Sequence, residues 1–555
     1  MKKSRLIVHM DEILSVNDLL RKCSDVYGSE LTAVYTDNKS GKFKKSYCDL
    51  YSDVCAAANF WTENINGKAR IAICGPLNYQ WLVMFFGILC SGNVAVPVDR
   101  FDNELHSKLV NSKLSGIFYD SSASQIKKEL EQINVPVKVI SQGDEEIAFD
   151  DIIRKYSSDK QPLVEQDEDA IMVFTSGTTG KSKGVVLTHR NIITNAKCGV
   201  SYLDGRIYEG DTIIPVLPPT HMFQITAGIL TPLFYGMNLC IGNGIKTIAK
   251  DIQNFQPKAM VMVPMIVENM YSKTMIQVKK TVSEKKLGRA VKITDSLSKV
   301  GINIRKRVFK EIHASYGGKL DTIVCGGAKL DKKVIKGFSS FGITVLEGYG
   351  ITECSPIISC NTTKHMRHGS VGIWAKDYNY EVKLIDGEVC VKGDIVFKEY
   401  FNDPKATEEA KKDGWFHTGD LGELDSSGFL SIVGRKKNLI ILNDGNNISP
   451  EELEEHFKGL PYVGSMFIGC DEEERGLVLY VHPDINEIPV TEDEAEKYIS
   501  IDVKKLNKEL PPYKRVKNIR FYNEDFEKTA LGKIKRFKYI ERTKNYVRKD
   551  KRLLK

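Results

Sequence analysis

Twelve cysteines are scattered along 555 residues without one C-x-x-C pair, so the sequence carries no zinc pattern. Several of them, including Cys74, Cys90, Cys240 and Cys325, lie in apolar runs, as buried free thiols of a reducing cytoplasm do. Long hydrophobic runs are missing too. The most apolar helical stretch, residues 81–90, has about half the length that spans a bilayer. The basic start Met1-Lys2-Lys3-Ser4-Arg5 leads only into Leu6-Ile7-Val8 before His9, Asp11 and Glu12, too short an apolar region for a secretion signal. A cytoplasmic location is therefore expected. The net charge of +7 suits anionic small molecules and is far too weak to argue for nucleic acid. No internal repeat or low-complexity linker interrupts the chain.

What is present is an ordinary globular composition, 42% apolar and 27% charged, on a chain too long for one hydrophobic core. At least two domains are expected. Short β-branched runs alternate with amphipathic helical segments through the first two-thirds, for example Arg70-Ile71-Ala72-Ile73-Cys74, Val94-Ala95-Val96-Pro97 and Gly116-Ile117-Phe118-Tyr119. That rhythm predicts an α/β fold with parallel sheets covered by helices on both faces. Between about residues 370 and 434 it gives way to short strands and tight turns, with Asp386-Gly387 closing a hairpin, so a small barrel or twisted sheet is expected there. From Gly434-Arg435-Lys436-Lys437 onward the chain reads as a separate α+β unit, with Ser449 capping a helix that has Pro450 at its first position. The domains are accordingly set at 1–434 and 435–555. The Lys/Arg-rich last twenty residues read as a solvated terminal helix, with contact to anionic lipid or a phosphate-rich ligand as the alternative.

The most informative segment is Thr175-Ser176-Gly177-Thr178-Thr179-Gly180-Lys181-Ser182-Lys183-Gly184, which follows the apolar run Ile171-Met172-Val173-Phe174. Its glycines let the backbone turn N–H groups inward, its hydroxyls add short donors and its lysines add charge, which together make a nest for polyphosphate. A Walker-type P-loop is the rival. Gly180-Lys181-Ser182 matches the end of that motif, but Thr175 stands where its first glycine is needed. A Walker loop also opens onto a helix, whereas Val185-Val186-Leu187 reads as a strand, after which Thr188 caps a helix beginning near Asn191. A phosphate-gripping loop between two strands is the result.

With further segments in the same order, from roughly residue 25 to 540, the sequence resembles the adenylate-forming enzymes: acyl-CoA synthetases, peptide-synthetase adenylation domains and luciferases. The resemblance implies two doubly wound sheets plus a small β-barrel in the large domain, and a mobile smaller domain. It assigns Thr175 to Gly180 and Lys183 to the phosphates, and Gly327 and Ala328, in Cys325-Gly326-Gly327-Ala328, to the adenine edge and one wall of the acyl pocket. In Glu347-Gly348-Tyr349-Gly350-Ile351-Thr352-Glu353 it implies stacking of adenine on Tyr349 between Gly348 and Gly350, an α-phosphate contact from Thr352 and Mg2+ on Glu353. Asp420, in Trp415-Phe416-His417-Thr418-Gly419-Asp420, and Arg435, at the end of Ile432-Val433-Gly434-Arg435, would hold the ribose diol, with Ile432 beside the nucleotide. Lys437 falls at the family's hinge, and Lys533, in Lys528-Thr529-Ala530-Leu531-Gly532-Lys533-Ile534-Lys535-Arg536, at its catalytic lysine. Two departures stand out: Ser182 and Glu527 each replace a proline, and neither removes a donor.

The acid is read from Leu217-Pro218-Pro219-Thr220-His221-Met222-Phe223-Gln224, where His221 would gate the passage between adenylate and acyl sites. Relatives that activate α-amino acids place an aspartate after this position, and Met222 cannot pair with an ammonium group. The following segment, residues 225–234, is apolar and reads as a helix. The stretch from about 263 to 327 resembles long-chain acyl-CoA synthetases most, and the later segment 434–451 points the same way. A medium- to long-chain fatty acid is therefore expected, activated with ATP and Mg2+ and passed to coenzyme A. Two alternatives stay open, an acyl carrier protein as acceptor and a non-catalytic AMP-binding scaffold.

Overall fold

Runs such as Val94–Val98 and Ala259–Met262 have no polar face, so they form strands only where both sides of a sheet are covered. The computed structural model, which describes residues 4–38, 41–142, 147–157, 163–175, 182–203, 205–441, 447–471, 476–485, 490–528, 534–540 and 549–552, uses them in that way. One eight-stranded sheet runs Ile357–Cys360, Thr344–Gly350, Thr322–Cys325, Ala259–Met262, Thr212–Ile214, Asn238–Ile241, Thr32–Asn38, Gly41–Ser46. The other runs Glu399–Tyr400, Lys183–Thr188, Asp169–Thr175, Val94–Val98, Arg70–Cys74, Gly116–Tyr119, Val137–Ile140, Ile147–Ala148. In each, six consecutive strands pair in parallel and antiparallel pairing is confined to the ends. This is the pair of helix-covered, mainly parallel sheets that the β-branched rhythm predicts.

The apolar run at 81–90 becomes the helix Tyr79–Cys90, in which every residue but Gln80 is buried. It packs against the helix Tyr47–Asn64, and each large side chain it removes from water contributes about 1.5–3 kcal/mol. Among the described residues no helix is long and apolar enough to cross a membrane. Ten of the twelve cysteines are buried, and burial pushes the thiols of Cys74, Cys240 and Cys360 up to about 12.

The helix after the second sheet's hairpin, Asp169–Thr175 and Lys183–Thr188, starts at His189, two residues earlier than expected, because Thr188 and Asn191 form a reciprocal cap. The Asn191 amide donates to the Thr188 hydroxyl at 3.2 Å, and the Thr188 amide donates to Asn191 Oδ1 at 2.8 Å. The expected hairpin is present as Tyr380–Ile385 and Glu388–Gly393, with Asp386 at φ +50° and Gly387 at φ +77°, the two left-handed positions of a type I′ turn. It belongs to a five-stranded sheet in the order Tyr380–Ile385, Glu388–Gly393, Trp415–Leu424, Lys411–Lys412, with Leu430–Arg435 also paired to Trp415–Leu424.

By packing, the chain divides into Met1–Val382 with Val391–Phe416 and Lys383–Cys390 with His417–Lys555. The second unit holds a four-stranded sheet, Val463–Asp471, Gly476–Pro483, Asn518–Phe521 and Lys549–Arg552. Alternate residues of Gly476–Pro483 feed two cores: Leu477, Leu479 and Val481 meet Leu453, Phe457, Ile499 and Val503, while Val478 and Tyr480 meet Phe467 and Phe526. Ser449 caps Pro450–Phe457 as expected, accepting from the Glu452 amide. Within the basic terminus Phe537–Ile540 is helical as expected, and Lys549–Arg552 differs. Lys549–Arg552 is a strand, paired antiparallel with Asn518–Phe521, instead of a helix. The edge of Asn518–Phe521 would otherwise present a row of unpaired N–H and C=O groups, and this outweighs helical propensity.

Candidate active site

The phosphate loop is bracketed by two antiparallel strands, Asp169–Thr175 and Lys183–Thr188, with Thr175 opposite Lys183. Ser176, Gly177, Thr178, Thr179 and Gly180 lie outside the described residues. Lys183 reaches across its own sheet, where its ammonium sits 4.7 Å from the centre of the Tyr400 ring. Tyr400 lies in the short strand Glu399–Tyr400, paired beside Val185. Its hydroxyl donates to Glu353 Oε1 at 2.9 Å. Burial, and then the Glu353 charge, push the Tyr400 phenol well above its ordinary value, so it stays a donor at every physiological pH. Nothing in the sequence reading singled out Tyr400. A two-residue strand has no periodicity to detect.

Glu353 is buried in the single 3₁₀ turn Thr352–Cys354, beside half-buried Thr352. Distant side chains fix that turn. Asn195, from the helix His189–Tyr202, donates to the carbonyls of Cys354 at 3.0 Å and Ile357 at 2.7 Å. Its own Oδ1 accepts from the Ile357 amide at 3.0 Å. A carboxylate oriented in this way, packed beside the strand Lys183–Thr188, is the hard-oxygen donor that suits Mg2+, so Glu353 fits the metal role.

Gly348, Tyr349 and Gly350 close the strand Thr344–Gly350, and Gly326, Gly327 and Ala328 follow its parallel neighbour Thr322–Cys325, with Cys325 opposite Glu347. Both segments thus emerge at the carboxyl ends of adjacent parallel strands, where open α/β sheets bind ligands. Close approach explains two of the glycines. A Cβ on Gly326 would stand 3.1 Å from the Phe223 ring, and one on Gly350 only 2.1 Å from the Pro356 carbonyl oxygen. Gly350→Ala is therefore expected to destabilise the protein by about 1–3 kcal/mol and to weaken ATP binding. Thermal unfolding and nucleotide titration check this; an unchanged Tm and affinity would mean that the Pro356 segment yields.

His221 precedes the short helix Met222–Ile225. Its Nε2 is buried and makes no hydrogen bond among the described residues, and burial pushes its imidazole below the ordinary value, so the ring is neutral at pH 7. The helix expected over 225–234 is present, continuous from Met222 to Phe234, with a π-helical stretch at Thr226–Leu230. Within it Thr226 donates to the Ser355 carbonyl at 2.7 Å, fastening the His221 segment to the Glu353 turn. Thr226 joins these two regions and Phe223 stands against Gly326, and neither residue carries a motif that sequence alone would single out.

In the second unit Asp420 and Arg435 are cross-strand partners, and Arg435 Nε lies 2.8 Å from Asp420 Oδ1. The structure brings together the two residues expected at the ribose; Ile432 is on the same strand, opposite Gly422. Glu388 braces both strand ends, accepting from the Gly419 amide at 2.9 Å and from Lys436 at 2.9 Å, with His417 Nδ1 at 3.1 Å. Burial opposes ionisation of Glu388, but Lys436, His417 and Gly419 outweigh it and hold its carboxyl below the usual range. Glu388, Cys390 and His417 place three donor atoms within 4.8 Å of one another. Lys436 already supplies the cation there, and burial first, then Glu388, pushes the Cys390 thiol up to about 11, so the cluster braces the strands. Lys437 is exposed in the one-turn 3₁₀ segment Lys436–Asn438.

Lys533 lies outside the described residues; the backbone on either side closes in an antiparallel bridge between Lys528 and Ile534. Glu527, where the family has a proline, ion-pairs with Lys535 and Lys538. Arg536 reaches Glu454 at 2.7 Å and Glu451 at 3.6 Å on the helix Pro450–Phe457.

Residues 22–401 match the family model described as AMP-binding enzyme. The chain belongs to that family. As an AMP-binding enzyme it is 28% identical over 508 residues to the human long-chain fatty acid–CoA ligase 1, covering 80% of this chain and 72% of the relative. It is 26% identical over 461 residues to the long-chain fatty acid–CoA ligase FadD15 of Mycobacterium bovis, covering 77% and 76%. Among solved structures, an anthranilate CoA ligase in complex with anthranoyl-AMP superposes with a TM-score of 0.77, covering 94% of this chain and 96% of the other at 18% identity, a likeness of fold.

Proposed function

We propose that this AMP-binding enzyme activates a medium- to long-chain fatty acid with ATP and passes the acyl group to coenzyme A. In the first step a carboxylate oxygen attacks the α-phosphorus and pyrophosphate leaves, giving acyl-AMP. In the second the thiolate sulfur attacks the acyl carbon, AMP leaves with the bonding electrons, and a thioester results. The observation that carries this reading is the link from Lys183, at the foot of the phosphate loop, through Tyr400 to Glu353. It joins the lysine that ends the expected polyphosphate segment to a buried carboxylate held by a phenol that does not ionise. Mg2+ when bound supplies charge neutralisation on the phosphates, and Glu353 would hold it.

Further roles are assigned to this chain's own residues. Tyr349 stacks the adenine, Thr352 donates to the α-phosphate, Asp420 and Arg435 hold the ribose, and Lys533 neutralises charge between carboxylate and phosphate. Neutral His221 lines the carboxylate entrance, and the wholly buried Thr226–Leu230 turn with buried Met222 offers an apolar wall that suits an alkyl chain. The printed names of the curated relatives, long-chain fatty acid–CoA ligases, support the same substrate class. Acid-dependent exchange of pyrophosphate into ATP, run over acids of graded chain length, tests the reading. Exchange should rise toward the longer acids; no exchange with any acid would overturn it. Supplying coenzyme A or an acyl carrier protein as the thiol then identifies the acceptor. Contact of the basic terminus with anionic membrane belongs to the same proposal, for a protein working in the cytoplasm.

Both half-reactions need the same space, first for Lys533 and then for the thiol. The part from 435 to 555 would therefore turn about Lys437 between steps. Proline confines φ to about −65°. Lys437→Pro is thus expected to keep one half-reaction within about tenfold of normal and to lose most of the other. Single-turnover adenylation and thioester formation, assayed separately, distinguish this from equal loss of both, which would signal misfolding.

A further inference from the structure

Charge is distributed unevenly along this chain. Residues 264–310 carry twelve Lys and Arg against three Asp and Glu, a net +9, while the whole protein carries +7, so everything else sums to −2. The segment is mostly two helices, Pro264–Thr281 and Glu284–Lys299, both packed against Lys332–Phe341. Beyond the first turn of the earlier helix, they bury only Thr274 and Thr294. Two of the three acids are answered within the segment, Glu284 by Lys279 at 2.9 Å and Asp295 by Arg305 at 2.8 Å. Lys285, Lys286, Arg289 and Lys292 are exposed and make no ion pair among the described residues.

Aliphatic side chains stand exposed among these cations: Met265 at 50%, Ile276 at 56%, Ile293 at 57%, Val300 at 71%, Ile302 at 51% and Val308 at 44%. Helical spacing puts Lys286, Arg289 and Ile293 along one stripe of the later helix, and Met265, Ile276 and Lys280 along one stripe of the earlier. Exposed aliphatic groups among unpaired cations cost solvation in water, but they match the interface of an anionic bilayer. Headgroups there take the ammonium and guanidinium groups, and the acyl boundary takes the methyls. A nucleic acid would use the charge and leave the aliphatic groups without a role.

We propose that residues 264–310 form a docking surface for anionic lipid bilayers, separate from the basic terminus. Pro264 directly follows Val263, whose side chain would lie 3.6 Å from a Cβ on Gly327, so the surface begins beside the candidate acyl wall. A water-insoluble acid then reaches the site from the bilayer that holds it. This last point rests on the proposed substrate class; the docking does not.

Sedimentation of the full chain with vesicles, either pure phosphatidylcholine or with about a third phosphatidylglycerol, tests docking without catalysis. Binding is expected only to the anionic vesicles and should weaken with salt. The variant Lys285→Glu, Lys286→Glu, Arg289→Glu, Lys292→Glu should bind about tenfold less or weaker, with unchanged pyrophosphate exchange on a short, soluble acid. In a second variant, Ile293→Trp, indole emission should shift to the blue when anionic vesicles are added. Wild-type binding by the fourfold variant would overturn the proposal and move the contact to the terminus. So would an unshifted Ile293→Trp spectrum, or binding that an acidic carrier protein displaces while the lipid has no effect.

Discussion

Lys533→Ala is expected to stop acyl-adenylate formation while thioester formation from supplied acyl-AMP continues. Loss of a preorganised donor at a centre of developing charge costs about 3–4 kcal/mol, a hundred- to thousand-fold in rate. Both flanks of the lysine are fastened. The Glu527 amide donates to the Tyr539 hydroxyl at 2.7 Å, Lys535 donates its amide to the Glu527 carbonyl at 2.9 Å, and Arg536 is tied to Glu454. Replacing Lys535, which ion-pairs with Glu527, should cost far less, because its charge serves the base of the loop. Pyrophosphate exchange separates the two lysines. A Lys533→Ala enzyme with near-normal exchange would remove this residue from catalysis.

Glu353→Gln keeps the side chain's shape and removes the charge that would hold Mg2+. Adenylation is expected to fall by several kcal/mol, roughly a hundredfold or more, and to recover partly as Mg2+ is raised. Tyr400→Phe removes only the hydroxyl that donates to Glu353 Oε1. It should cost about 1–2 kcal/mol, near tenfold, and raise the Mg2+ needed for half-maximal rate. A positioning role predicts that second change, whereas lost packing alone would leave Mg2+ dependence as it was. Wild-type behaviour of Glu353→Gln at low Mg2+ would place the metal elsewhere.

Much of this was legible before any coordinates, and particular residues show why. Ser449 and Pro450 start a helix through contacts within one turn, and Asp386-Gly387 closes a hairpin through its own φ values. The resemblance sets Asp420 and Arg435 at one sugar, and the structure makes them cross-strand partners. Other readings needed correction where a neighbour intervened. The basic terminus reads as a helix, yet Lys549–Arg552 lies along an open strand edge. The 225–234 segment reads as a helix and is one, but its π-helical stretch, where Thr226 reaches Ser355, was not legible.

The sequence by itself determined which residues stand together and in what order: a hydroxyl- and lysine-rich segment suited to polyphosphate, an acid at Glu353, and Asp420 and Arg435, which the resemblance sets at the ribose. Those motifs consist of neighbouring residues, and local backbone geometry gives them meaning. Only the tertiary structure decided how the acid is held. Tyr400 becomes its partner because Glu399–Tyr400 pairs with the strand that leaves the phosphate loop. Asn195 fixes its turn from 159 residues away in the chain. Such contacts depend on which strands lie side by side and on their register. No propensity or spacing encodes that, since it is set by the burial of both sheets' faces together.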